Sequence, residues 1–206
     1  MLEEHCAPPH RIVNVALGIM DIMPFRRIRE RRRRERVAFD LYAAVVEAAR
    51  RPEFYTGLGV PDSVDGRFDL IVLHAHLAMR RLVGVPGEEA KALSQALFDL
   101  MFADMDHNLR EMGVSDLGVG NKVKDMAKAF FGRAAAYDHA LAADEAALRA
   151  ALERNLYGTV AATPQHVAGM AAYVRRQLAH VEHQDAVALL EGRLDFAPVD
   201  DPRAEV

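Results

Sequence analysis

Between Glu88 and Met112, apolar residues recur at intervals of three and four: Leu93, Ala96, Leu97, Leu100, Met101, Met105, Leu109 and Met112. A helix is the one regular structure that gathers such a set onto a single face. The same spacing recurs at Val37, Leu41, Val45 and Ala48, with Phe39, Tyr42 and Val46 widening the face. It appears again at Leu70, Leu73, Leu77 and Leu82, at Val123, Met126, Ala127, Phe130, Phe131, Ala134 and Tyr137, and at Val167, Met170, Ala171, Val174 and Leu178. No segment alternates with period two, as a half-buried strand would. The expected fold is all-α, a single compact bundle of about six or seven helices.

Punctuation sets the boundaries. The first helix is expected over 25–51, because Pro52 disfavours helical geometry in the residue before it. Residues 52–66 hold three glycines and two prolines and read as a loop, yet Phe54, Tyr55, Leu58 and Val60 predict that it packs on the core. Asp65 is the expected N-cap of a helix over 67–83. Gly113 is placed to terminate the helix over 88–112, and VSDLGVG reads as a turn before a helix over 121–142. Asp144 caps a fifth helix reaching Tyr157, Thr163-Pro164 opens a sixth, and a short piece over 185–190 ends at Gly192. Three regions follow: a poorly structured extension over 1–22, a helical domain over 23–192 that begins with an Arg-rich helix, and a loose tail over 193–206.

Composition excludes several classes. A single cysteine, Cys6, rules out a disulfide scaffold. The longest apolar stretch, Ile12 to Met23, is broken by Asn14 and Asp21 and is too short to span a bilayer. Charge is uneven. Residues 25–36, FRRIRERRRRER, hold eight Arg and two Glu, a surplus of six positive charges, while the whole chain has a formal net charge of −4, so the rest carries −10. An acidic body with one basic segment predicts an anionic partner such as lipid headgroups or RNA phosphates. Arg26, Arg27, Arg31, Arg32, Arg33 and Arg34 are the candidate anchor, with Phe25 and Ile28 suited to an amphipathic membrane contact. The segment has no aromatic stacking platform, which argues against sequence-specific reading of nucleic acid.

Enzyme chemistry finds little support. Gly118-Val-Gly120-Asn-Lys122 lacks the spacing of a phosphate loop, and Gly57 and Gly59 lack the third glycine of a dinucleotide fingerprint. His74 and His76 diverge on a helix, His180 and His183 share a face, and Asp104, Asp106 and His107 lie close together, but none of these forms a known metal-ligand pattern. Ser63, Ser94 and Ser115 lie outside any GxSxG motif. A protein without catalytic residues, cofactor or metal is expected; a helical metal-dependent enzyme is the weakest alternative. The densest polar group is Asp104, Asp106, Asn108, Arg110 and Glu111, followed by Asp116, Lys122 and Lys124. Asp106 with Arg110, and His107 with Glu111, stand four apart and can pair. Met101, Met105, Met112 and Met126 lie nearby and would suit an adaptable apolar groove.

Three blocks carry a family resemblance: RPEFYTGLGVPDSVDGRFD from Arg51 to Asp69; LFDLMFADMDHNLREMGVSDLGVG from Leu97 to Gly120; and Lys124 to Met126 with Phe130, Phe131, Gly132, Arg133, Ala136 and Tyr137. Leu152, Arg154 and Asn155 extend them. In this order they resemble the ubiquinol–cytochrome c chaperone family. The resemblance implies a non-enzymatic assembly factor for the cytochrome bc1 complex. Such a factor takes cytochrome b as client, works near the ribosome or membrane, and has a small partner protein. The chain looks like a bacterial member, which implies a place in the cytoplasm at the inner face of the membrane. The candidate client-binding residues are then Phe54, Tyr55, Asp62, Asp65 and Arg67 in the loop, and Asp104, Asp106, Arg110, Glu111, Asp116 and Lys124 in the polar turn. A membrane- or ribosome-tethered adaptor without a cytochrome b client remains the alternative.

Overall fold

The computed structural model describes residues 13–199, with side chains over 25–199. Eight helical segments follow one another: α1 (Val13–Ala49), α2 (Glu53–Thr56), α3 (Val64–Val83), α4 (Glu88–Glu111), α5 (Asp116–Ala142), α6 (Glu145–Leu156), α7 (Pro164–Glu182) and α8 (Ala186–Leu190). No strand occurs among the described residues. The all-α bundle expected from the spacing is the fold observed.

α3 is the central post. It packs against α1, α4, α5, α6 and α7. Every residue from Asp69 to Met79 is buried, so its apolar surface runs all the way round. A helix without a polar face has to sit inside a domain. Leu70, Leu73, Leu77 and Leu82 are no more than 1% exposed, and burying each such side chain is worth about 1.5–3 kcal/mol. α5 is the opposite case, with only Val119, Phe130, Tyr137 and Ala140 buried along its 27 residues. Its first half leans on α4 and leaves much of its surface open.

The local signals act largely as expected. Asp144 accepts a hydrogen bond from the Ala147 N–H at 2.8 Å, and Thr163 from the His166 N–H at 3.2 Å, with Pro164 in the first turn of α7. α4 ends in a Schellman motif, in which the Val114 N–H bonds the Leu109 carbonyl and the Gly113 N–H the Arg110 carbonyl, with Gly113 at φ +82°.

Four expectations are corrected. The N-cap of α3 is Ser63, whose hydroxyl accepts from the Gly66 N–H at 3.1 Å. Asp65 instead lies in the first turn, where a carboxylate suits the helix dipole. α5 begins at Asp116, so Gly118 and Gly120 are helical and the turn is confined to 112–115. α1 begins at Val13, so residues 13–22, expected to be poorly structured, are helical in backbone and continue into the Arg-rich segment across Pro24. Residues 1–12, with Cys6, lie outside the described residues. Finally, the start of the tail is packed. Leu194, Phe196 and Val199 are each under 10% exposed. Gln177 donates to the Ala197 carbonyl and accepts from its N–H, both at 2.9 Å, and Arg51 bonds the carbonyls of Phe196 and Ala197. Two prolines and several acids suggest a loose tail, but three apolar side chains and a buried amide hold it. The last residues, from 200 on, lie outside the described residues.

Candidate interaction surfaces

The end of the α4–α5 hairpin gathers part of the polar set. Arg110, in the last turn of α4, reaches Asp106 at 2.6 Å and also pairs with Asp116 in the first turn of α5. One guanidinium therefore ties both helices across the Gly113 turn. Its hydrogen bond, and to a lesser degree its charge, hold the Asp106 carboxyl below the usual carboxylate range. His107 and Glu111 stand 3.1 Å apart, as their spacing predicts. Lys124 is exposed two turns further on and pairs with no described residue. Asp104 points elsewhere. It accepts the Tyr42 hydroxyl proton at 2.8 Å and ties α4 to α1.

Beside this clamp, two apolar side chains face solvent: Met112 at 58% and Leu117 at 90% exposure. Leu117 was not singled out from the sequence. The available signal was an apolar residue in a helix's first turn next to two glycines, with no three-and-four partner. Met101 and Met105 are buried in the core and Met126 is half-buried, so the four methionines do not line one open groove.

The loop set divides in a similar way. Phe54 is fully buried, edge-on to the rings of His74 at 5.5 Å and Tyr173 at 5.0 Å. It is a core residue, not a contact surface. Next to it, Arg67 pairs with Asp62 at 2.7 Å and lies over the half-buried Tyr55 ring at 6.0 Å. Asp62, Tyr55 and Arg67 thus form one small outer patch, with exposed Asp65 close in sequence. The start of α3 meets α5 at Arg133, which pairs with Asp69 at 2.8 Å and lies over Phe68 at 5.9 Å. Arg133 is seventeen residues beyond Asp116, or ~25 Å along α5. The loop patch and the hairpin end are therefore two surfaces.

The burial of two polar groups was not legible in the sequence. Asp69 is 7% exposed. Burial pushes its carboxyl up to about 6 against the pull of Arg133, and Asp65 adds to the rise. The signal was Arg133 itself, which stands at core spacing between Phe130 and Tyr137. The other group is His74, wholly buried. Its Nδ1 lies 2.7 Å from the Leu70 carbonyl, which can only accept, so Nδ1 carries the proton and Nε2 accepts from the Tyr173 hydroxyl at 2.7 Å. Burial lowers its pKa to about 4. Among the described residues, no cluster of histidine, cysteine or carboxylate could hold a metal.

The Arg-rich segment stands apart from the core. From Phe25 to Arg36 every residue is exposed except half-buried Arg34, and the first core residue is Val37. Arg26 pairs with Glu30 at 2.9 Å, Arg31 with Glu35 at 2.8 Å, and Arg34 with Glu89 at 2.7 Å. Because α1 starts at Val13, these charges lie well past its first turn, out of reach of the partial positive charge at the helix N-terminus.

Comparison with known proteins now adds a family. The profile of the ubiquinol-cytochrome C chaperone family matches residues 56–196. Among characterised proteins, the chain is 25% identical to ubiquinol-cytochrome-c reductase complex assembly factor 1 of Xenopus laevis, over 79% of this chain and 81% of that one. It is 27% identical to the mitochondrial protein CBP3 of Saccharomyces cerevisiae, over 70% of this chain and 44% of that one. It spans about half the length of the human assembly factor 1, covering 54%. The crystal structure of the Cbp3 homolog from Brucella abortus superposes with a TM-score of 0.75 at 35% identity, covering 86% of this chain and 97% of that one. A match over most of the chain, in both sequence and fold, shows that the protein belongs to the ubiquinol–cytochrome c chaperone family, a family of chaperones rather than enzymes.

Proposed function

We propose that this chain is a non-enzymatic assembly chaperone of the cytochrome bc1 complex that holds cytochrome b during or after its synthesis. The observation that carries the reading is the end of the α4–α5 hairpin, inside the family-matched residues. There, 90%-exposed Leu117 and 58%-exposed Met112 flank the Arg110 clamp. A partly inserted membrane protein exposes apolar helix surface. Two projecting apolar side chains ringed by charge give such a client a reversible seat, and the client's own folding then competes for the same surface and releases it. Asp106, Arg110, Glu111, Asp116 and Lys124 would form the polar rim. Tyr55, Asp62, Asp65 and Arg67 would form a second contact, for the client or for a small partner protein. The chain would work in a bacterial cytoplasm at the inner face of the membrane, close to the ribosome, with the arginines of α1 attracting an anionic surface.

The test is capture from native membranes by tagged full-length protein, with bound proteins identified by mass spectrometry. Cytochrome b should be enriched with the wild type and lost with Leu117→Asp/Met112→Asp while the variant stays folded. Capture of ribosomal proteins alone, unaffected by that variant, would favour a tethered adaptor with no cytochrome b client.

A further inference from the structure

The eight arginines of α1 are not equivalent. Arg26, Arg31 and Arg34 are each neutralised by a glutamate. Arg27, Arg29, Arg32, Arg33 and Arg36 have no carboxylate partner among the described residues, and Arg33 bonds only the Leu190 carbonyl at 3.4 Å. At 100° per residue, Phe25, Arg29, Arg32, Arg33 and Arg36 fall within a ~100° arc of one helix face, and Arg27 falls opposite. Over residues 25–36 that face holds four free positive charges and no negative one, with Asp40 one turn beyond Arg36, and it carries an aromatic ring 68% exposed at its outer end. Ile28, 49% exposed, borders it.

We infer that this stripe, Arg29, Arg32, Arg33 and Arg36 with Phe25 at its tip, docks α1 lengthwise onto an anionic phospholipid surface. The inference deepens the reading of a helper that works at a membrane. Charge complementarity alone would admit any polyanion; the apolar residues favour lipid. Phe25 and Ile28 lie where a ring and a branched chain can enter the headgroup boundary beside the guanidinium–phosphate contacts. The same helix continues upstream through Val13–Met23, where eight of eleven residues are apolar. That stretch is too short to cross a bilayer but suits a helix lying in its interface. Because the stripe is on α1 and the Leu117 seat is on the α4–α5 hairpin, one molecule can hold the surface and the client at once.

The test is co-flotation of the full-length protein with vesicles of phosphatidylcholine alone and of phosphatidylcholine with phosphatidylglycerol. Two double variants carry the same change in charge. Arg29→Gln/Arg32→Gln removes stripe arginines, and Arg26→Gln/Arg31→Gln removes glutamate-paired ones. The wild type should bind the phosphatidylglycerol vesicles in a salt-sensitive way and ignore the neutral ones. The stripe variant should bind about 10- to 30-fold more weakly, and the paired variant within about threefold of wild type. Equal losses in the two variants, no binding by the wild type, or displacement of bound protein by poly(U) RNA at equal phosphate concentration would overturn the inference. Capture of cytochrome b from detergent extract by the stripe variant separates this from the chaperone reading. Wild-type protein that captures cytochrome b but does not bind vesicles leaves the chaperone standing and the stripe refuted; wild-type protein that binds vesicles but captures no cytochrome b does the reverse.

Discussion

Asp69, buried, and Arg133, half-buried, form an ion pair at 2.8 Å between the central helix α3 and the middle of α5, with the guanidinium lying over the Phe68 ring. Asp69 is the one charged side chain buried on α3, whose other buried side chains are apolar apart from His74 and His76. Removing one partner strands the other, and a lone buried charge costs about 3–5 kcal/mol. Arg133→Met should lower the urea midpoint by that order, more than any substitution in the exposed Arg110 clamp. Asp69→Leu/Arg133→Met should recover most of the loss, because replacing both charges removes the penalty as well as the attraction. A double variant no more stable than Arg133→Met would show that the pair does not act as a unit.

The two shifted buried groups make opposite contributions to acid stability. His74 has a folded pKa of about 4, below its ordinary value of 6.5. As pH falls from 6.5 towards 4, the unfolded chain takes up the proton that the folded chain refuses, so stability is lost on acidification. Asp69 is raised from 3.8 to about 6. As pH falls from 6 towards 3.8, the folded chain takes up the proton first, so stability is gained. Asp69→Asn removes the gain and keeps the loss. The unfolding free energy of Asp69→Asn should therefore fall relative to wild type by up to ~3 kcal/mol between pH 7 and pH 4. Urea titrations of both proteins at several pH values measure it; a constant difference would mean that Asp69 titrates normally.

Phe196 is the anchor of the packed tail, edge-on to His74 at 5.0 Å and 5% exposed. Phe196→Ala should cost about 3–5 kcal/mol, as for a core phenylalanine. It should also raise the hydrogen-exchange rate of the Ala197 amide, which bonds Gln177. A loss below about 1 kcal/mol would mean that the tail is dispensable.

That tail shows where the sequence stopped being legible. The long helices could be read because each carries a three-and-four apolar face, and Asp144 and Thr163-Pro164 marked their own caps. Leu194 and Phe196 have no periodic context, and Gln177, which holds the neighbouring Ala197, reads as a surface amide. Phe54 and Tyr55 are adjacent and alike in type, yet one is core and the other half-exposed. Which of them turns inward is decided by the pocket that His74 and Tyr173 make, residues distant in the chain. The Arg110 clamp was half visible, because Asp106 lies one helical turn away. Asp116 joins it only because α5 starts earlier than two glycines suggested. The division of the arginines into paired and free rests on Glu89 as well as on helical spacing, and a partner on another helix leaves no local trace.

Glycines at two turns separate conformational strain from crowding. Gly113 has φ +82°, and a Cβ there meets nothing within 4 Å. Gly113→Ala should cost only the left-handed backbone penalty, about 1–2 kcal/mol. Gly66 has an ordinary helical backbone, but a Cβ there would stand 2.1 Å from the Pro61 carbonyl oxygen. That oxygen belongs to the main chain and cannot swing aside, so the loop before Ser63 must move and the Ser63 cap is disturbed. Gly66→Ala should therefore destabilise more than Gly113→Ala, although Gly113 alone of the two has a positive φ. It should also weaken the Asp62–Arg67 pair beside it. Chemical denaturation of the two variants ranks them, and the reverse order would show that the 61–66 turn yields more easily than its close packing implies.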